Sequence, residues 1–129
     1  MDHNHAVIWI DHQKAHVMSF NKEDYDETIV HARPHSHSGH LHIKSGVPGS
    51  GHAQEDTAFF DATIELVKDV PELLVVGPGM EKSIFVKYVA KTKPHMADKI
   101  VGVEAIDHPS DPQLLAYARK YFVKTDLFH

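Results

Sequence analysis

The stretch Leu73 to Thr92 (LLVVGPGMEKSIFVKYVAKT) constrains the fold of this chain most: an apolar run breaks at Gly-Pro-Gly and resumes with helical spacing. Leu73 to Val76 has no polar alternation, as expected of a strand covered on both faces. Gly77 and Gly79 permit a tight turn, and Pro78 cannot extend a ladder. From Met80, the apolar residues Ile84, Phe85, Tyr88 and Val89 recur at helical spacing. Glu81 stands in the first turn and Lys87, Lys91 and Lys93 crowd the end, matching the helix dipole. Pro94 stops the helix, and Lys99 to Asp107 (KIVGVEAID) returns as a strand, which makes a βαβ unit.

Upstream, Ala6 to Asp11 and Lys14 to Phe20 read as an antiparallel hairpin turned at His12 and Gln13. After the polar turn Asn21 to Asp24, Glu27 to Ala32 reads as a third strand antiparallel to the second. Gln54 to Val70 turns helical, with Phe59, Ala62, Leu66 and Val70 along one side and Phe60, Ile64 and Val67 beside them. Pro71 ends that helix. Ser110-Asp111-Pro112 opens a last amphipathic helix carrying Leu114, Leu115, Ala118, Tyr121 and Phe122, and Val123 to His129 is expected to dock loosely or hang free. An antiparallel meander followed by two right-handed crossovers gives an α/β fold. The expected sheet is five-stranded and mixed, in the order 3-2-1-4-5, with helices on both faces: a ribonuclease H-like architecture.

A chain of 129 residues with 42% hydrophobic content suits one domain, 1–129, that buries a core without staples. It has no cysteine, which excludes disulfides and thiolate chemistry. The apolar run Ala6 to Ile10 is too short for a signal peptide core or a membrane span, so a cytoplasmic location without membrane association is expected. The net charge of -5 argues against general attraction to nucleic acid, but the charge is unevenly spread. Between Thr28 and Gln54 there is no Asp or Glu; Arg33 and Lys44 give that segment +2, leaving 11 basic against 18 acidic residues elsewhere. Six of the 13 histidines lie there as well: His31, His35, His37, His40, His42 and His52. Residues 33–53, rich in Gly, Ser, His and Pro, read as a long loop, and loops of that length are commonly functional or disordered.

Several site chemistries can be weighed. The carboxyl ends of the first, fourth and fifth strands should share one edge, where open α/β sheets bind ligands. That edge would gather Asp11, His12, the Gly77-Pro78-Gly79 turn, Asp107 and His108. Asp11 and Asp107 would stand two strand spacings apart, about 10 Å, too far to share one ion, so they read as turn and cap residues rather than a two-metal nuclease. Gly77 and Gly79 at a helix start, with Lys82 nearby, offer an anion-binding turn that lacks a full phosphate-loop signature. His35, His37, His40 and His42 can supply imidazoles to zinc or nickel, although no cysteine or carboxylate in the loop completes a familiar set. The competing reading is an acid-free arm that meets phosphate through Arg33, Lys44 and partly protonated histidines. No catalytic residue is assigned.

The strands AVIWIDHQKAHVMSF, the approach His31-Ala32-Arg33-Pro34-His35, the following helix, and LLVVGPGMEKSIFVKYV with KIVGVEAID resemble the middle domain of the archaeal and eukaryotic class-1 release factors and of Pelota. They are also similar to small stand-alone bacterial relatives labelled translational machinery proteins. The resemblance covers nearly the whole chain and implies the same ribonuclease H-like fold. In release factors the loop between the third strand and the first helix carries Gly-Gly-Gln, which promotes peptidyl-tRNA hydrolysis. This chain has Ser38-Gly39-His40 and Gly51-His52-Ala53-Gln54 instead, so no hydrolytic role transfers to a residue.

The resemblance implies an RNA- or ribosome-facing loop, and with the loop's composition it gives the expectation of a noncatalytic accessory factor that meets ribosome or tRNA through Arg33, His35, His37, His40, His42 and Lys44. A zinc- or nickel-binding protein closing its histidine tract around the ion is the alternative, and a hydrolase using Gln54 or Asp11 is a third. The open edge of the third strand also admits a homodimer.

Overall fold

A computed structural model of the chain describes residues 3–32 and 48–127, the side chains of 48–56 and 125–127 excepted. The expectations placed on 33–47, including Arg33, His35, His37, His40, His42 and Lys44, lie outside the described residues. Five strands form one sheet in the order β3-β2-β1-β4-β5: β1 His5–Ile10, β2 Lys14–Phe20, β3 Tyr25–His31, β4 Glu72–Gly77 and β5 Ile100–Ala105. β1 pairs antiparallel with β2 and parallel with β4; β2–β3 is antiparallel and β4–β5 parallel. This is the expected five-stranded mixed sheet, strand for strand.

The two central strands, β1 and β4, are apolar on both faces, and their alternate residues divide the core in two. Ala6, Ile8, Ile10, Leu73 and Val75 face α1 (Pro48–Leu66), α2 (Glu81–Thr92) and the short α3 (Pro94–Ala97), packing with Phe59, Phe60, Ile64, Phe85, Val89 and Met96. Val7, Trp9, Leu74 and Val76 face α4 (Asp111–Leu127), packing with Leu114, Leu115, Ala118 and Phe122. Full burial of an aliphatic side chain contributes about 1.5–3 kcal/mol, which is why the apolar runs take the middle of the sheet. Arg119 holds α4 to the opposite hairpin, its Nε and Nη2 donating to the carbonyls of Asn21 and Asp24 at 3.2 and 3.3 Å.

Both hairpin turns are built alike. The Asp11 carboxylate accepts the backbone N–H groups of Gln13 and Lys14 at 2.8 and 2.9 Å, and the Asn21 amide oxygen accepts those of Glu23 and Asp24 at 2.9 and 3.0 Å. A short polar side chain that satisfies its own turn is the usual reason for Asp or Asn there.

Four expectations need correction. α1 begins at Pro48, so the last part of the stretch read as loop, 48–53, is helical; proline is well suited to a first turn, where its missing N–H costs nothing. Its buried stripe runs through Phe59, Phe60, Thr63, Ile64 and Val67, with Thr63 Oγ1 donating to the Phe59 carbonyl, while Ala62 and Leu66 are exposed. Pro94 ends α2 but also starts α3, again at a first-turn position. At the far end, α4 continues through Val123 to Leu127 as helix.

Candidate functional site

At the shared carboxyl edge, the residues named from sequence serve the fold. Asp11 is committed to its turn, as above. The Asp107 side chain is exposed, and it is its backbone carbonyl that works, accepting Trp9 Nε1–H at 2.7 Å. Gly77 closes β4 directly against β1: a Cβ there would lie 2.3 Å from the Ile10 carbonyl oxygen. Lys82 donates to the Gly79 carbonyl at 2.5 Å, and Glu81 is buried in the first turn of α2, so a carboxylate already stands at that helix start.

A second group assembles beside this edge, on the face covered by α4. β2 places His16 on the same face as Met18 and Phe20, and the β2–β3 register sets Met18 opposite Glu27. Glu27 is therefore the diagonal neighbour of His16, and their side chains meet. α4 begins directly over them. Ser110 caps it, its Oγ accepting the Gln113 N–H at 3.3 Å while Gln113 Oε1 accepts the Ser110 N–H at 2.9 Å, a reciprocal capping box. The first residue after that cap, Asp111, comes within 3.4 Å of His16 Nε2 through Oδ1. One donor atom from each of His16, Glu27 and Asp111 lies within 4.8 Å of the others, and no other described trio of His, Asp or Glu is so arranged.

His16 and Asp111 line a cleft of about 190 Å³ together with Trp9, Lys14, His108 and Leu114, and Glu27 stands beside it against His16. Trp9 forms its wall and is held in place twice, by its bond to Asp107 and by the His108 ring 5.1 Å away. None of the trio was among the site residues expected from the sequence, where Asp111 entered only as part of a helix start. The available signal was His16, a polar residue next to Met18 and Phe20 on the strand face that opens with Lys14.

No protein-family model matches the chain, and no curated protein matches it. Among solved structures, Pelota of Archaeoglobus fulgidus matches with a TM-score of 0.61 at 14% identity, over 93% of this chain and 32% of that one. Pelota of Thermoplasma acidophilum matches at 0.59 with 14% identity over 88% and 31%, and the archaeal translation termination factor aRF1 at 0.54 with 12% identity over 88% and 32%. The chain spans about a third of the length of these proteins. Its fold is that of the release-factor and Pelota middle domain.

Proposed function

We propose that this chain is a cytoplasmic, translation-associated accessory factor that contacts ribosome or tRNA without hydrolysing it. The observation that carries the reading is a coincidence of fold and charge. The structures it resembles are Pelota and a termination factor, and the acid-free, histidine-rich segment lies between β3 and α1. Arg33 and Lys44, with His35, His37, His40 and His42, supply cations for phosphate, and without Gly-Gly-Gln the hydrolysis of the release factors has no residue here to carry over to.

Co-sedimentation of the untagged protein with ribosomes across a salt series tests this. Binding should weaken as salt rises, because each phosphate contact releases counterions, and Arg33→Glu with Lys44→Glu should abolish it. Binding indifferent to both charge reversals removes the segment from the proposal. Loss of binding in chelator would instead favour the histidine tract as a zinc- or nickel-ordered device.

A further inference from the structure

We propose that His16, Glu27 and Asp111, none of them part of the histidine tract, form a binding site for one divalent transition-metal ion of the zinc class. The donor set is chemically suited to it. One imidazole and two carboxylates are ligands that zinc accepts, and three protein donors, of which His16 and Asp111 line the cleft, leave a fourth position open. Two ligands about 2.1 Å from a tetrahedral ion stand about 3.4 Å apart, which is the His16 Nε2 to Asp111 Oδ1 separation of 3.4 Å. His16 Nε2 also meets Glu27 Oε2 directly, so the Glu27 side chain must swing back to admit the ion, while all three donor atoms already lie within 4.8 Å of one another.

Charge and rigidity agree with this assignment. The N-terminus of α4 is a positive dipole end that opposes a cation, so a single carboxylate would serve poorly; two neutralise the ion. Each donor is on a fixed element: His16 on β2, with its side chain 12% exposed, Glu27 on β3, and Asp111 directly after a doubly bonded cap. Lys14 lines the same cleft, so the open position should prefer water or an anionic oxygen over a cationic ligand. Bound metal would clamp α4 to the β2–β3 hairpin at this end of the sheet, while Arg119 does so further along the helix.

Trp9 is the one tryptophan of the chain and lines the cleft, so its fluorescence reports on occupancy. The experiment uses untagged, metal-stripped protein carrying H35S, H37S, H40S and H42S, which silences the histidine tract. Co2+ and Zn2+ are titrated against Trp9 fluorescence, and bound metal is counted by equilibrium dialysis. One equivalent should bind, with visible d–d absorption for Co2+. Loss of an outer partner alone commonly weakens metal sites about tenfold or more, so Glu27→Gln and Asp111→Asn should each do at least that, and His16→Ala should abolish binding. The near-isosteric Gln and Asn variants keep the test decisive should His16→Ala fail to fold. Absence of a bound ion in the tract-silenced protein, or affinity unchanged by Glu27→Gln and Asp111→Asn, would overturn the proposal and leave the trio as an ion-pair cluster.

Discussion

Gly77 and Gly79 flank the same proline but answer to different constraints. No described glycine has a positive φ, so neither is needed for a left-handed turn. Gly77 is needed for clearance, since a methyl group there would meet the backbone oxygen of Ile10, which cannot rotate away. Around Gly79 nothing lies within 4 Å of a would-be Cβ. Gly77→Ala should therefore destabilise by about 1–3 kcal/mol or more through a forced shift of β1 against β4. Gly79→Ala should be neutral or stabilise by up to about 1 kcal/mol, by restricting the unfolded chain. Urea unfolding of the two variants checks both signs; equal effects would mean the turn, not the strand contact, governs Gly77. Gly102 is an intermediate case. Its would-be Cβ lies 2.1 Å from the Tyr121 hydroxyl, the far end of a side chain, so Gly102→Ala should cost less than Gly77→Ala.

The helices depend on polar ends as much as on apolar faces. Removing the Ser110 hydroxyl in Ser110→Ala deletes one arm of the capping box of α4 and should cost about 1 kcal/mol in thermal or denaturant unfolding. α1 and α2 are joined on their outer side by Tyr88, whose hydroxyl donates to Asp61 Oδ1 at 2.7 Å. That hydrogen bond, then burial, then the Asp61 charge hold the phenol above its ordinary 10.0. A phenol raised in the folded state contributes stability below its unfolded value, and the contribution is lost as pH rises through the folded one. Tyr88→Phe should thus be less stable than the parent by about 0.5–1.5 kcal/mol at neutral pH, with the difference shrinking above pH 10. A difference that stays constant into alkali would assign the effect to packing rather than to the bond. These elements were largely legible in the chain, because apolar runs and helical spacing decide which strands are central and which helix faces are buried. The short α3 was not, because proline signals an end and a beginning with the same residue. The buried stripe of α1 was misplaced by one position because Thr63 looks polar yet meets its own need through the Phe59 carbonyl.

Taken whole, the molecule brings together residues that no local pattern relates. His16, Glu27 and Asp111 meet only because β3 lies antiparallel on β2 in one register and because α4 starts over that corner, so spacing along the chain carried no trace of the trio. The same register leaves β3 at the edge of the sheet, with Tyr25 and Ile29 47% and 43% exposed on that edge strand. An exposed edge is a template for a second copy, and acidic side chains are one way of blunting it. β3 and its approach carry Asp24, Asp26 and Glu27, so pairing two copies edge to edge would gather their carboxylates into one ribbon. Repulsion of that kind extends about 30 Å at 0.01 M salt and about 3 Å at 1 M. Sedimentation velocity should accordingly show a monomer at low ionic strength, with dimer appearing only as salt rises, and Asp26→Lys should move that onset to lower salt. A dimer of equal strength at both ends of the series, unaffected by Asp26→Lys, would place the interface away from β3 altogether.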